Sequence, residues 1–159
     1  MIKVMEAAKY IANYYSKIFG EEIDEMKLHK LLYFAQRESF IQNDKPLFNA
    51  VFYGWKFGPV LKEIRQAYKE DKFFKGVADL VVDRDNVDIN VLNTVLKNYA
   101  HKNSWSLSRL THGEISWINS RKGLTMNDNG DNPMENEDIK LDAERIKQRR
   151  QMIASLNLS

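Results

Sequence analysis

The stretch MKLHKLLYFAQRESF, residues 26–40, decides the fold of this chain. Its central part, LHKLLYFA, is apolar on nearly every side of a helix, and such a helix lies at the centre of a fold, covered by its neighbours. Asp24 is a suitable N-cap, because its side chain can accept a hydrogen bond from a free backbone N–H of the first turn. Asn43-Asp44-Lys45-Pro46 interrupts the pattern. The sequence therefore predicts a central helix from Asp24 to about Asn43.

Amphipathic stretches on both sides predict further helices around this central one. Residues 3–19 place apolar side chains at helical spacing, and Gly20 follows as a helix terminator. Four more helices are predicted downstream: one that begins at Pro59, one capped by Asp88, one over residues 107–112 capped by Ser104 or Ser106, and one that begins near Asn136. The chain is therefore expected to be mainly helical.

The segment PLFNAVFYGWKFGPV, residues 46–60, is the main exception to the helical pattern. Its aromatic residues need burial, whereas Gly54, Gly58 and Pro59 prevent a regular helix, so we expect a packed, ordered loop or a short extended pair. VADLVV, residues 77–82, is either a short strand or an apolar loop. The predicted fold class is mainly α: a single compact helical domain of about five to six helices, with a short β pair near residues 50–57 and 77–82 left open.

Composition limits the classes of function. The chain has 159 residues, of which 43% are hydrophobic and 29% charged, as is usual for one globular domain. It has no cysteine, which excludes disulfides, zinc–thiolate sites and thiol nucleophiles. The formal net charge is only +2, so the overall field does not favour nucleic acid. No apolar run is long enough to span a membrane, and the first residues lack a signal-peptide core. We therefore expect a cytoplasmic protein without a membrane partner.

No set of residues matches a cofactor, metal or catalytic motif. The three histidines are not paired at metal-ligand spacing, and residues 125–136 lack the acidic first and last ligands of a calcium loop. We interpret that segment as a polar surface loop that tolerates shortening. The sequence thus predicts no cofactor and no enzymatic activity. A hydrolase built from Lys30, Tyr33 and His112 would need a cleft that brings His112 next to a nucleophile or a carboxylate.

Two groups of polar side chains are candidates for binding. On the predicted central helix, Lys30, Tyr33 and Arg37 share one side, where they either line a groove for a partner or fix the helix among its neighbours. A basic face on the last predicted helix is more often solvated surface than a binding site, so nucleic acid is an alternative and not the leading hypothesis. The candidate nucleic-acid-binding residues are Lys147, Arg149 and Arg150.

Three blocks of sequence also occur in a familiar order. They are MKLHKLLYFAQ at residues 26–36, PLFNAVFYGWKFGPV at 46–60 and LSRLTHGEISW at 107–117. Together they resemble the Panacea domain family, the SocA-like antitoxins and phage-associated proteins of bacteria and their viruses. The resemblance extends from Ala7 to about Ile153, which implies one domain over residues 1–159. The family pattern falls on Lys27, Leu28, Lys30, Leu31, Leu32, Tyr33, Gln36, Pro46, Leu47, Phe48, Trp55, Gly58, Pro59, Val60, Leu110, Thr111, His112 and Trp117.

This resemblance implies a protein-binding function. Members of the family neutralise a toxin encoded beside them by direct contact, and some hand it to a protease, for which a Clp-type enzyme is the candidate. The expected partner is a cognate toxin in the cytoplasm of a bacterium or of a phage-infected host cell. A phage-associated regulator that binds nucleic acid through its basic last helix is the alternative. The candidate partner-binding residues are Lys30, Tyr33 and Arg37 on the polar side of the central helix, and the aromatic residues Phe52, Tyr53, Trp55 and Phe57, because aromatic residues often act as interface hot spots.

Overall fold

The helix predicted around residues 26–40 forms the centre of the molecule. The computed structural model of the chain describes residues 1–83 and 86–157. Within these ranges the chain forms seven helices and one two-stranded sheet. In chain order the elements are α1 (Val4–Phe19), α2 (Glu25–Asn43), β1 (Phe52–Trp55), β2 (Gly58–Leu61), α3 (Lys62–Lys69), α4 (Val87–Tyr99), α5 (Ser104–His112), α6 (Ile115–Ser120) and α7 (Asn136–Asn157). The mainly helical fold class is confirmed, with seven helices in place of the five to six expected.

Helix α2 is buried along most of its length. Asp24 caps it as predicted, since its carboxylate accepts a hydrogen bond from the Lys27 N–H at 2.9 Å. Every residue from 27 to 40 is buried, because α1, α3, α4, α5, α7 and β2 all pack against this helix. One hydrophobic core joins α1, α2, α4 and α7. The absence of a polar face in LHKLLYFA follows from this position.

The first and last helices agree with the predicted bounds. α1 ends at Gly20, whose φ of 70° lies in the left-handed region in which many helices terminate. α7 begins at Asn136, and its residues Ile139 and Ala143 are buried in the core. Residues 151–157 of α7 are exposed. Ile153, in the last turns of this helix, therefore does not contribute to the core.

The predicted β pair forms, but with a different partner strand. β1 pairs antiparallel with β2, with Phe52 opposite Leu61 and Trp55 opposite Gly58. Gly58 has a φ of 121°, a value that only glycine adopts readily. As the first residue of β2, it follows the two-residue turn that reverses the chain after Trp55. β2 is therefore the partner strand of β1, and residues 77–82 do not pair with it. Of the two alternatives left open for residues 77–82, the structure shows the loop, since that segment forms turns and irregular structure.

Three helix starts differ from those predicted. Pro59 lies in β2, where a missing N–H is tolerated at a sheet edge, and α3 begins only at Lys62. The N-cap of α4 is Asn86 and not Asp88, because the Asn86 side chain accepts the Asp88 N–H. The N-cap of α5 is Asn103, whose side chain accepts a hydrogen bond from a backbone N–H of the first turn. In both helices an asparagine one or two residues upstream was the better acceptor. α6 has six residues, too few to show helical periodicity in the sequence.

The polar segment 125–136 is held more firmly than the sequence analysis expected. The Arg121 guanidinium donates hydrogen bonds to the carbonyl of Gly54 in β1 and to three carbonyls of the segment itself. The Met134 N–H donates to the Phe52 carbonyl at 2.7 Å, which extends the hydrogen bonding of the sheet. Shortening this segment is therefore expected to destabilise the hairpin next to it.

Two further points concern the chain as a whole. None of the helices in the described ranges combines the length and the apolarity required to cross a bilayer.

The domain predicted over residues 1–159 includes residues 84, 85, 158 and 159, which lie outside the described ranges.

Candidate partner-binding site

A pocket of about 570 Å³ lies where the β1–β2 hairpin faces the first turns of α2. We call it the hairpin pocket. It combines residues from the first and second sequence blocks, which are separated in the chain but adjacent in the fold. Its lining residues are Glu25, Met26, His29, Lys30, Trp55, Lys56, Phe57, Gly58, Val60, Arg65 and Asn129.

The rim of the hairpin pocket carries exposed aromatic rings. Phe57 is 46% exposed, which contradicts the expectation that the aromatic residues of 46–60 are buried. Its ring packs edge-on against Trp105 of α5, with the ring centroids 5.5 Å apart, and Trp105 is itself 60% exposed. Sequence reasoning missed Trp105 because it stands alone between two serines at a helix start. Two adjacent exposed aromatic rings at an apolar pocket are typical of a protein-binding surface.

Trp55 forms one wall of the pocket and is half-buried. Its indole N–H donates to the Asp131 carboxylate at 3.0 Å. The Asp131 carboxylate also accepts from the Lys62 ammonium at 2.9 Å. Since Asp131 belongs to the segment after Arg121, that segment helps to orient the pocket wall.

His29 attaches the hairpin to α2. Its Nδ1 accepts the Leu61 N–H at 3.2 Å, so its Nε2 carries the proton and donates to Glu25 at 3.0 Å. Burial lowers the pKa of the imidazole, which is therefore neutral at physiological pH. Glu25 also accepts from Arg65 of α3 at 2.7 Å. With both ring nitrogens engaged, His29 is not free to act as a base.

Lys30 lies at the inner wall of the hairpin pocket and is 2% exposed. Its ammonium makes one long hydrogen bond, to the Pro59 carbonyl at 3.5 Å. Burial lowers the pKa of this ammonium to about 8, because the charged form loses its hydration. Gly58 leaves room for the side chain, since a Cβ there would lie 2.8 Å from the Lys30 Cε.

His112 and Trp117 connect the third sequence block to the hairpin. The His112 ring stacks on Trp117 with the ring centroids 4.1 Å apart, and the Trp117 indole donates to the Trp55 carbonyl at 2.9 Å. Burial lowers the pKa of His112. Its Nε2 is buried and has no hydrogen-bond partner among the described residues. His112 thus packs against Trp117, which is hydrogen-bonded to the hairpin, and His112 is not paired with a nucleophile among the described residues.

Tyr33 belongs to a separate buried network. Its hydroxyl lies 3.0 Å from carboxylate oxygens of both Glu114 and Asp142. The Asp142 carboxylate in turn accepts the backbone N–H groups of Ile115 and Ser116 at the start of α6. Burial raises the pKa of the Tyr33 hydroxyl well above its usual value, so it is protonated at neutral pH. This network joins α2, α6 and α7.

Arg37 and Phe52 are also interior residues of the free chain. The Arg37 guanidinium donates to Glu114 at 2.6 Å and to the Tyr99 hydroxyl at 2.8 Å. Phe52 packs edge-on against Tyr33 in the core. The candidate partner-binding residues therefore divide into three groups. Lys30, Trp55 and Phe57 line the hairpin pocket, Tyr33, Arg37 and Phe52 lie inside the molecule, and Tyr53 is half-buried beneath the Lys62 ammonium.

Several motif positions have clear structural roles. The Gln36 side chain is fully buried, and its Oε1 accepts the N–H groups of Leu47 and Phe48 while its Nε2 donates to the Phe48 carbonyl. The Lys27 ammonium donates to the Ala100 carbonyl at 2.9 Å. The buried apolar motif residues are Leu28, Leu31, Leu32, Leu47, Phe48 and Val60; Thr111 is buried, Pro46 is half-buried and Leu110 is exposed.

The basic residues of α7 are not equivalent. Arg150 donates to Glu38 of α2 at 2.8 Å and is half-buried, whereas Lys147 and Arg149 are exposed. Only part of the candidate nucleic-acid-binding set is therefore free of an ion pair to the body of the molecule. As for metals, no three His, Asp or Glu side chains lie close enough to hold an ion together anywhere in residues 1–83 and 86–157.

Comparison with known protein families identifies the family of this chain. A family model described as "Antitoxin SocA-like, Panacea domain" matches residues 28–118. This span contains most of the hairpin pocket and all of β1, β2 and α5. No curated protein and no solved structure matches the chain.

Proposed function

Because this chain belongs to the SocA-like antitoxin family with the Panacea domain, we propose that it neutralises a toxin encoded beside it, by direct contact at the hairpin pocket. The observation that carries this proposal is the open apolar pocket with the exposed Phe57–Trp105 pair at its rim. A pocket of about 570 Å³ has room for one or two side chains of a partner. Aromatic residues around such a pocket are frequent hot spots of protein interfaces.

We also propose that the chain acts by binding and not by catalysis. A hydrolase would need a nucleophile within hydrogen-bond reach of a free base. His29 has both ring nitrogens engaged, and His112 stacks on Trp117. The Tyr33 hydroxyl is buried against two carboxylates in a different part of the fold. Tyr33 and His112 of the hydrolase hypothesis are thus not arranged as a nucleophile and its base, which supports the binding function.

Two modes of neutralisation are compatible with this contact. The chain either sequesters the toxin or delivers it to a protease, for which a Clp-type enzyme is the candidate. Both modes place the pair in the cytoplasm of a bacterium or of a phage-infected host cell. The stability of the toxin separates them, because a sequestered toxin persists after synthesis stops, whereas a delivered toxin is degraded.

The proposal is tested by expressing the neighbouring reading frame alone and together with this chain. We expect the neighbour to be toxic alone and harmless with the chain, and the two proteins to purify as a complex. Mass spectrometry of the toxin from that complex should give its unmodified mass. A neighbour that is harmless alone would contradict the antitoxin function. A covalent change of the toxin made by this chain would contradict the binding mechanism.

A further inference from the structure

We propose that the hairpin pocket recognises an acidic side chain of the toxin, whose carboxylate pairs with the Lys30 ammonium while an adjoining apolar side chain packs against Met26 and Trp55. The inference rests on the proposed function for the identity of the partner. The features that carry it belong to the pocket itself: a buried cation without a counter-ion, and apolar walls around it.

The Lys30 ammonium is poorly satisfied in the free chain. An ammonium can donate three hydrogen bonds, yet this one makes a single bond of 3.5 Å, at the outer limit for such a contact. No ion pair joins it to a carboxylate in the part of the chain that the structure describes. The nearby Glu25 carboxylate is already shared by His29 and Arg65. Burying a charge without a partner is costly.

The other two cationic side chains buried in α2, Lys27 and Arg37, differ from Lys30 because each has a close hydrogen-bond partner. Lys27 donates to the Ala100 carbonyl at 2.9 Å and lies over the Tyr15 ring. Arg37 is paired with Glu114 at 2.6 Å. Both have a close hydrogen-bond partner in the fold, whereas the Lys30 ammonium has only the long bond to the Pro59 carbonyl and lines the hairpin pocket. The position therefore does not require a cation for folding, and a carboxylate that enters the pocket would supply the missing partner.

The surroundings of Lys30 specify the rest of the occupant. The charged residues that line the pocket are Glu25, Lys30, Lys56 and Arg65. Glu25 is already paired with Arg65 and His29 is neutral, so Lys30 and Lys56 leave an excess of positive charge, and the pocket favours an anion. Met26, Trp55 and Val60 provide apolar walls. The exposed Phe57–Trp105 pair continues this apolar surface beyond the pocket. Because this surface can support chain beyond the acidic residue, we commit to an Asp or Glu side chain within a toxin segment and not to a free C-terminal carboxylate.

The first test is the substitution Lys30→Met, which keeps the length of the side chain and removes the charge. We expect the affinity for the toxin to fall by about thirtyfold or more, while the melting temperature of the free chain stays the same or rises. The matched control is Lys27→Met, which should lower the melting temperature and leave the affinity of the folded protein near that of the wild type. A Lys30→Met variant that binds toxin like the wild type would overturn the inference.

The toxin supplies the complementary variant. Replacing each exposed Asp or Glu of the toxin by its amide should identify one position whose loss of affinity equals that of Lys30→Met. Combining the two changes should then cost little more than either alone, as in a double-mutant cycle. Additive losses at every acidic position would overturn the pairing with Lys30.

A second test uses the wild-type chain and small probes, so it does not depend on folding of a variant or on the toxin. The probes are acetyl-Asp-Phe-amide, acetyl-Asn-Phe-amide and acetyl-Phe with a free carboxylate, added to protein labelled with ¹⁵N. We expect the Asp probe to shift the Trp55 indole signal at a concentration about tenfold lower than the Asn probe does. Equal effects of these two probes, or no effect of either, would overturn the inference. A stronger effect of the free carboxylate would overturn the choice of a side chain.

The two proposals fail in different ways. If the wild-type chain does not bind the neighbour-encoded protein, the proposed antitoxin function fails, and the probe titration decides whether the pocket prefers a carboxylate. If the wild-type chain binds the toxin and Lys30→Met binds it equally well, the antitoxin function stands and the role of Lys30 is refuted.

Discussion

The indole N–H of Trp117 in α6 donates a hydrogen bond of 2.9 Å to the backbone carbonyl of Trp55 in β1. This contact joins the third sequence block to the second, across 62 positions of the chain. It holds the end of β1, and with it one wall of the hairpin pocket, against the body of the molecule. The two tryptophans are far apart in the sequence, but this hydrogen bond connects β1 and α6 directly.

Replacing Trp117 by Phe should destabilise the free chain by about 1–2 kcal/mol, because the Trp55 carbonyl loses its donor while a large ring remains. The measurement is urea denaturation at equilibrium. The control is Trp105→Phe, which changes an exposed ring and should stay within ~0.5 kcal/mol of the wild type. Equal stability of the two variants would show that the hydrogen bond to Trp55 contributes nothing.

Gly58 and Gly76 provide a matched pair for testing the hairpin turn. Both have positive φ, 121° and 80°, but a Cβ at Gly58 would lie 2.7 Å from the Thr111 Oγ1, whereas nothing lies within 4 Å at Gly76. Gly76→Ala should cost about 1–2 kcal/mol for backbone strain alone. Gly58→Ala should cost about 2–4 kcal/mol, because the crowding adds to the strain. Denaturation curves that rank the two variants in the opposite order would contradict the geometry of the turn.

The lowered pKa of the Lys30 ammonium predicts that the free energy of unfolding changes with pH. Burial lowers its pKa from 10.5 to about 8 in the folded chain, so between these values the unfolded chain binds more protons than the folded chain. Raising the pH through this window therefore increases the free energy of unfolding, by up to ~3 kcal/mol, since one pKa unit corresponds to ~1.4 kcal/mol. The carboxylates of Asp24 and Glu25 act in the opposite direction and keep the shift from being larger.

The measurement is the difference in unfolding free energy between Lys30→Met and the wild type, taken at several values from about pH 7.5 to pH 10. The difference cancels the effects of other titrating groups. We expect the variant to be the more stable protein at the lower end and the advantage to shrink as the pH rises. Parallel profiles of the two proteins would mean that Lys30 titrates normally in the folded state.

Much of the fold follows from local patterns. The apolar run in 26–40 predicted the central helix, because a helix without a polar face has to be covered on every side. Gly20 and Asp24 marked helix ends correctly, since caps depend on neighbouring residues alone. The partner strand of β1 stayed open because the positive φ of Gly58 at the hairpin turn is not visible in composition.

The candidate site was predictable only in part. Lys30, Trp55 and Phe57 were recognised as candidates, but their meeting in one pocket depends on the packing of the hairpin against α2. Trp105 carried no signal, because its importance arises from its contact with Phe57 in a distant element. The separation of Tyr33 from this pocket likewise depends on Asp142 of α7, over a hundred positions away.

The central claim, that the hairpin pocket and its aromatic rim bind the toxin, is tested most directly by the dissociation constant of the purified pair. The variant is the double substitution Phe57→Ala/Trp105→Ala, and the control is Leu141→Ala, which removes an exposed apolar side chain from α7. The account predicts that the double variant binds the toxin about thirtyfold or more weakly than the wild type, while its melting temperature and the affinity of the control change little. An unchanged dissociation constant for the double variant would contradict the account.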